Sequence, residues 1–316
     1  MKIALLESLG ISEESLERLA ASLKKDGHDF SSFPRSDDRD ENISRLSGVD
    51  VAMIANMPLP GEVIAGADSL KMISVAFTGY DHVDMKVCTE RGVAVSNCAG
   101  YSTDSVAELA LGLSVAVCRN ILPCDRAVRD GSTKAGLLGN EIAGKTVGIV
   151  GTGAIGCKVA KIFRVLGCSV LAYSRTERDE LKELGVSYVT LEELMVSSDI
   201  VSIHVPCNDE TVGLIGEEKL AMMKPSAILI NTARGPIVDN DRLAEALTSG
   251  RLSGAGIDVF DMEPPIPKDY PLLKAPNCVL TPHVAFATPE ALEKRAIMAF
   301  DNVFAWISGS PRNLVY

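Results

Sequence analysis

At positions 151–156 the chain reads Gly-Thr-Gly-Ala-Ile-Gly, directly after the β-branched run 145–150 and directly before 157–166, where apolar residues recur at helical spacing. Few architectures admit a turn this tight between a strand and a helix. Gly151 permits the sharp reversal, Gly153 lets backbone approach a phosphate, and Gly156 allows the helix to pack closely on the strand. The free N–H groups of the helix N-terminus then favour an anion. A Gly-rich match alone is weak, but locked between strand and helix it predicts a dinucleotide-binding unit built on a parallel sheet.

The rest of the chain has the matching rhythm. Short β-branched runs at 3–6, 51–55, 72–75 and 93–96 alternate with amphipathic stretches at 12–25, 61–67 and 85–91. That alternation predicts parallel strands covered by helices on both faces. An apolar stretch at 102–119, with Val106, Leu109, Ala110, Leu113 and Val117 at helical spacing, predicts a core helix. After a polar loop around 130–140 the series restarts, with strands at 146–150, 170–173, 200–205, 227–231, 255–259 and 278–280. The fold class is therefore α/β with two doubly wound parallel sheets, the second and larger in the middle of the chain. A length of 316 residues leaves room for two cores. Residues 288–307 read as a closing helix, with Pro289 in its first turn and Gly309 and Pro311 beyond its end.

Charge and cysteine usage exclude several functions. The formal net charge is -11 and no Lys/Arg-rich run occurs, so no nucleic-acid partner is expected. The opening MKIALLESLG reads as neither signal peptide nor membrane span, and a cytoplasmic protein without a membrane partner is expected. The eight cysteines are dispersed, with no C-x-x-C pair and no histidine at metal-ligand spacing, so packed thiols and no metal site are expected.

Chemistry concentrates at strand ends, the side of a parallel sheet where ligands bind. Ser174 ends the strand after the glycine-rich turn, 18 residues past Gly156, where an acid commonly holds the adenosine ribose hydroxyls. Here Ser174-Arg175-Thr176 offers hydroxyls and a guanidinium, which suit a 2′-phosphate and tilt the expected cofactor, NAD(P), toward NADP. The alternative is a solvated Arg175 and a Ser174 that tolerates NAD. Farther on, Asn231-Thr232-Ala233-Arg234-Gly235, Asp258-Val259-Phe260-Asp261-Met262-Glu263-Pro264 and Thr281-Pro282-His283 each follow a strand. Hydride transfer to a keto acid needs a cation to bind the carboxylate and polarise the carbonyl, and a proton donor for the new hydroxyl. Arg234 suits the first role and His283 the second, with Glu263 favouring the imidazolium and orienting the ring. Singly, each has a structural explanation as a turn cap, a surface acid or a packed ring. Together at three strand ends they point to catalysis.

With GTGAIG, HVP at 204–206, NTARG, GIDVFDMEP and TPHVAFAT in this order, the chain resembles the D-isomer-specific 2-hydroxyacid dehydrogenases over essentially its whole length. The resemblance implies an NAD(P)-dependent oxidoreductase acting on a small 2-keto or D-2-hydroxy acid, with Arg234, Glu263 and His283 as the catalytic set. It implies that Thr78 and Gly79, in AFTGYDHVD, lend backbone N–H groups to the substrate carboxylate. By the same matching, Ala154, Ile155, Thr232, Ala233 and Asp258 line the cofactor, and His204, Val205 and Pro206 lie on its adenine side. It implies a substrate-binding domain of residues 1–99 and 286–316 around a dinucleotide-binding domain of 100–285, with a cleft between them, and a homodimer formed through the 102–119 helix region.

Departures narrow the resemblance. Many relatives active on hydroxypyruvate or glyoxylate carry a tryptophan in the segment corresponding to 130–138, whereas this chain reads DGSTKAGLL there and its one tryptophan is Trp306. AGYSTDSVAE and PHVAFAT are locally closer to the D-lactate and D-hydroxyisocaproate branch. Glu263 argues against formate dehydrogenases, which pair the histidine with glutamine. Two rivals share the scaffold: a nucleotide-sensing co-repressor, for which the catalytic triplet has no use, and a phosphite-type dehydrogenase. His82 reads as a solvated loop histidine, and Asp84 as a helix-start residue.

Overall fold

The β-branched runs form parallel strands in two separate sheets, in a computed structural model that describes residues 1–262 and 265–315. One unit comprises Met1–Ser102 with Ala287–Tyr316, the other Thr103–Phe286. In the first, strands β1 (Lys2–Leu5), β2 (Asp29–Ser32), β3 (Val51–Ile54), β4 (Met72–Val75) and β5 (Ala94–Ser96) lie in the order β2-β1-β3-β4-β5, all parallel. This is the flavodoxin-like order of a doubly wound sheet. β3 and β4 are buried along their whole length, which is why they read as unbroken apolar runs. β2 was not legible, because its DFSS sequence is mostly exposed, with Phe30 alone half-buried, and its alignment comes from the ladder to β1 at the sheet edge.

The closing helix, Pro289–Ile307, belongs to this first unit. The Thr288 side chain caps it by accepting the Ala291 N–H at 3.2 Å. Its inner face packs on the sheet: Phe300 is fully buried with its ring 5.6 Å from that of Phe30, and Ser74 Oγ donates to the Ala299 carbonyl at 3.0 Å. Burying a side chain of that size stabilises by about 2–3 kcal/mol.

In the second unit, β6 (Thr146–Val150), β7 (Ser169–Tyr173), β8 (Ser187–Tyr188), β9 (Ile200–Ile203), β10 (Ile228–Asn231), β11 (Gly254–Ile257) and β12 (Cys278–Leu280) form a parallel sheet in the order β12-β11-β10-β9-β6-β7-β8. Strands are added on both sides of β6, so a crevice opens at the end of β6 where the winding reverses. The predicted core helix spans Thr103–Cys118 and packs directly on β10 and β11. The glycines of β11 make room for it, since a Cβ at Gly254 or Gly256 would press on Val117 or Leu113.

Beyond Asn120, in the left-handed conformation at φ 51°, a second helix runs over Ile121–Arg129, which the sequence reading left unassigned. It is amphipathic, yet it buries none of its side chains within the chain, and Ile121, Leu122 and Val128 stay exposed. Among the described residues no single helix is long and apolar enough to cross a membrane, and no group of His, Cys, Asp or Glu is placed to hold a metal ion. All eight cysteines are free thiols.

Candidate active site

One continuous row of paired residues closes the C-terminal edge of the second sheet: Leu280, Ile257, Asn231, Ile203, Val150 and Tyr173. Every candidate of this unit follows a member of that row. His283 lies three residues past Leu280, Asp258 one past Ile257, and Thr232, Ala233 and Arg234 directly past Asn231. His204, Val205 and Pro206 follow Ile203, the glycine-rich turn follows Val150, and Ser174 and Arg175 follow Tyr173. With about 4.8 Å between neighbouring strands, Arg234 and His283 arise two strands apart, and the glycine-rich turn two strands from Arg234 on the other side.

Each glycine of the turn has its own physical reason. Gly151 sits at φ +97°, and a Cβ there would press on the His204 carbonyl. A Cβ at Gly156 would overlap the Gly151 carbonyl oxygen. At Gly153 a Cβ would meet no protein atom within 4 Å, so the turn is open on that side. Gly153 also starts the Ala154–Val165 helix without a side-chain cap, leaving the first-turn N–H groups, including those of Ala154 and Ile155, directed at that open side. Thr232 Oγ1 is buried without a partner. An open cradle, an uncapped helix and an unpartnered buried hydroxyl fit a dinucleotide with its phosphates at Gly153.

Beside the turn is a cavity of about 270 Å³ whose walls include Gly151, Gly153, Ser174, Arg175, His204, Val205 and Pro206. The reading from sequence missed three further wall or support residues. Glu210, from the loop after β9, pairs with Arg175 at 3.1 Å across the cavity mouth. Arg178 also lines the cavity, its Nε 3.4 Å from the Thr152 carbonyl. Tyr188 accepts the Arg178 N–H and donates to Thr152 Oγ1. No local motif marks Glu210, which is 35 residues from Arg175 in sequence. Burial pushes the His204 pKa well below the ordinary histidine range, so its ring is neutral, with Nε2 2.8 Å from Ser202 Oγ.

At the other end of the row, Asn231 shapes the turn that carries Arg234. Its Nδ2 donates to the Arg234 carbonyl at 2.9 Å, and its Oδ1 accepts the Ala233 N–H at 3.0 Å. Gly235 follows because a Cβ there would overlap the Phe260 carbonyl, so only glycine lets this turn sit against the next strand's exit. Arg234 is half-buried and its Nη1 donates to the Ala233 carbonyl at 2.8 Å.

Asp258 is fully buried and organises the histidine loop. It accepts Thr281 Oγ1 at 2.5 Å and the N–H groups of Val284 and Ala285 at 2.9 Å each. Burial raises its pKa, while those three donors work against the rise. The loop so held keeps His283 in a left-handed conformation at φ 55°, with its ring edge-on to Phe286 at 5.5 Å. Thr281 as an anchor was not legible, because nothing in TPH distinguishes a loop hydroxyl from a buried one. Glu263 lies outside the described residues. Near it in sequence, Asp261 is held by Asn240 Nδ2 at 2.7 Å and by the Tyr270 hydroxyl at 2.8 Å.

In the first unit, Thr78 and Gly79 follow β4 in the loop at the C-terminal edge of that sheet. Asn97 Nδ2 holds the loop by donating to the Thr78 carbonyl at 2.7 Å, and Thr78 Oγ1 is buried without a partner. Asp84 caps the helix Met85–Arg91 by accepting the Val87 N–H at 3.1 Å. His82 is not a solvated loop residue. Its Nε2 is enclosed by protein and its carbonyl accepts the Leu59 N–H.

Residues 111–285 match the family described as D-isomer specific 2-hydroxyacid dehydrogenase, NAD binding domain. The chain is similar to the glyoxylate reductase of Korarchaeum cryptofilum, with 44% identity over 86% of this chain and 84% of that one. Among solved structures it is similar to an acyclic imino acid reductase in complex with NADPH and D-Arg, at 32% identity and a TM-score of 0.91 over 100% of both chains. It is also similar to the Aquifex aeolicus D-lactate dehydrogenase complexed with NAD and lactic acid, at 28% identity and a TM-score of 0.87 over 98% of this chain and 96% of that one. The local likeness of AGYSTDSVAE and PHVAFAT to the D-lactate branch thus sits in a chain whose overall identity to a glyoxylate reductase is higher. A nicotinamide dinucleotide is the cofactor and a small 2-keto or 2-hydroxy acid the substrate. The chain belongs to the D-isomer specific 2-hydroxyacid dehydrogenases, oxidoreductases that transfer hydride between that cofactor and that acid.

Proposed function

We propose that this enzyme reduces a 2-keto acid with a small substituent, of the glyoxylate or hydroxypyruvate class, with NADPH preferred over NADH. The observation that carries the proposal is the single row of strand ends from which the Arg234, Asp258 and His283 segments and the glycine-rich turn all emerge. Similarity to a glyoxylate reductase supports the substrate class. The bound nicotinamide supplies the hydride. Gly153, Ala154, Ile155 and Gly156 cradle the pyrophosphate with backbone N–H groups, and Gly151, whose own N–H donates to the Tyr173 carbonyl, shapes the turn. Ser174 and Arg175 take the 2′-phosphate, His204, Val205 and Pro206 flank the adenine, and Thr232, Ala233 and Asp258 border the nicotinamide side.

Arg234 binds the substrate carboxylate and draws electron density onto the carbonyl oxygen. His283 in its protonated form gives a proton to that oxygen, and Glu263 stabilises the imidazolium and orients the ring. Thr78 and Gly79 add backbone N–H groups to the carboxylate. The enzyme acts as a cytosolic homodimer. Support for a second copy comes from the exposed apolar side chains around the Ile121–Arg129 helix, with Val128 76% and Leu138 93% accessible. A panel of glyoxylate, hydroxypyruvate, pyruvate, bulkier keto acids and phosphite, assayed with both nicotinamides, tests the reading. Turnover confined to phosphite, or dinucleotide binding without turnover, would refute it.

A further inference from the structure

The loop that carries Thr78 and Gly79 is oriented by a set of asparagines that the chemistry above does not use. The Phe77 carbonyl accepts the Cys98 N–H at 2.9 Å, and the Thr78 carbonyl accepts Asn97 Nδ2 at 2.7 Å. A trans peptide directs its carbonyl and its N–H to opposite sides. Both carbonyls turn toward residues 97–98, so the N–H groups of the same two peptides, those of Thr78 and Gly79, turn away from them. Among the described residues no backbone carbonyl accepts either N–H. Successive backbone N–H groups facing one side form a concavity that suits an anion.

Asn97 is itself held at three further points. Its Oδ1 accepts the Ala99 N–H at 3.4 Å, which leaves Nδ2 to meet Thr78. Its backbone N–H donates to the Asn313 carbonyl at 3.0 Å, and its carbonyl accepts Asn302 Nδ2 at 2.8 Å. Asn302 lies on the closing helix and is fully buried, and its Oδ1 accepts Asn313 Nδ2 at 2.8 Å, which sets the way its amide faces. Residues 312–315 run alongside β5. Ser96 Oγ donates to the Arg312 carbonyl at 2.9 Å, Ser96 and Leu314 form an antiparallel bridge, and the Val315 N–H donates to the Val95 carbonyl at 3.1 Å. A buried amide is costly unless its hydrogen bonds are made, and an apolar side chain would fill the Asn302 site without that demand. The amides therefore serve orientation: Asn313 fixes Asn302, the two together fix Asn97, and Asn97 fixes the peptide between Thr78 and Gly79. Asn313 suits its place because its backbone is left-handed at φ 55°, which asparagine tolerates better than most residues.

We propose that the segment 312–315, which follows the closing helix, belongs to the substrate-binding apparatus. Asn313 and Asn302 are positioning residues that act through Asn97 to present the Thr78 and Gly79 N–H groups to the substrate carboxylate. The inference rests on the carboxylate role given to Thr78 and Gly79 above and adds what holds them. The carboxylate is common to all 2-keto acids and is bound alike in the ground and transition states. Loss of this hold therefore raises KM by the same factor for every keto acid and leaves kcat little changed.

The test is kcat and KM for glyoxylate, pyruvate and hydroxypyruvate, inhibition by oxamate as an unreactive carboxylate, dinucleotide affinity and Tm. The proteins are the wild type, Asn97→Ala, Asn313→Gly and their double variant. Glycine keeps the left-handed backbone of Asn313 and removes only the amide. Asn97→Ala should raise KM and the oxamate inhibition constant together by about tenfold and Asn313→Gly by about threefold, with kcat and dinucleotide affinity within about twofold. The double variant should bind oxamate no more weakly than Asn97→Ala, because Asn313 acts through Asn97. If Asn97→Ala does not fold, Asn97→Asp, which keeps the shape and loses the donor, takes its place. A lower Tm with unchanged KM and oxamate inhibition, a KM rise confined to one acid, an equal loss of dinucleotide affinity, or effects that multiply in the double variant overturn the proposal and leave the keto-acid reading intact. A wild type that reduces none of the three acids overturns both.

Discussion

Replacing Asp258 by asparagine tests how the histidine loop is held. Asparagine offers one accepting oxygen where the carboxylate has two. If that oxygen stays on Thr281 and Val284, the new NH₂ group faces the Ala285 N–H that was bonded at 2.9 Å. One hydrogen bond to a charged acceptor is lost, worth about 1.5–3 kcal/mol, and a buried donor is left without a partner. The two remaining bonds lose their charge assistance, roughly half their strength. Allowing for relaxation, Asp258→Asn should destabilise the fold by about 2–4 kcal/mol. His283 has a further reason to move, since its left-handed backbone at φ 55° costs about 1–2 kcal/mol that the loop bonds now offset. Displacing the ring by about 1 Å should lower kcat/KM by about 100-fold.

The assays are urea denaturation, steady-state kinetics and NADPH binding, with Thr281→Val as a second variant that removes one donor and leaves the charge. If Asp258 acts chiefly through the loop, both variants lose kcat while NADPH affinity holds. If it acts chiefly on the nicotinamide, Asp258→Asn weakens NADPH and Thr281→Val does not. Unchanged stability together with unchanged kcat/KM in Asp258→Asn would refute the loop argument.

Four other outcomes are expected. Gly153→Ala should leave stability within about 1 kcal/mol, as a Cβ there meets no protein atom, yet weaken dinucleotide binding at least tenfold; calorimetry alongside a binding titration checks both halves. Arg175→Ala should weaken NADPH more than NADH, and Glu210→Gln should favour NADPH by a few-fold, because their exposed ion pair is worth no more than about 1 kcal/mol and leaves an acid beside the phosphate site; equal effects on both cofactors would make the pair structural. On the mechanism proposed above, in which His283 gives the proton in reduction and takes it in oxidation, His283→Ala should lower kcat/KM by about 100-fold or more in both directions while cofactor affinity holds, which steady-state kinetics and a binding titration check. At Asp199 burial is outweighed by the Thr146 N–H and the Lys224 ammonium, which hold the carboxyl below its ordinary value of 3.8. The stability it contributes is present above that value and is lost as pH falls through the depressed pKa, so Asp199→Ala should cost about 1–3 kcal/mol at neutral pH and progressively less in denaturation curves below pH 3.8.

Sequence by itself determined the elements whose physics is local or periodic. β3, β4 and β10 are buried on both faces, so each had to be an unbroken apolar run. Gly151 and Gly156 are dictated by a left-handed turn and a close backbone contact, and with Gly153 at the helix start they fall within six residues and so form a readable motif. Arg234, Glu263 and His283 were readable from the sequence as catalytic candidates because each follows a strand, and parallel sheets gather ligands at one edge.

Only the tertiary structure decided what depends on partners distant in sequence. β2 is a strand because β1 lies beside it, since edge pairing needs backbone and little side-chain pattern. Ile121–Arg129 carries an amphipathic pattern but buries none of its side chains within the chain, so what its apolar side meets is not written in the local sequence. Glu210 meets Arg175, Tyr188 meets Thr152, and Glu7 meets Ala55 and Met57 across 35, 36, 48 and 50 residues. The structure also gave Asp258 its hold on the histidine loop, a part that its place in GIDVFDMEP does not spell out. A side chain's type is written in the sequence, but which donors surround a buried carboxylate is fixed only when strands from separate parts of the chain come to lie side by side.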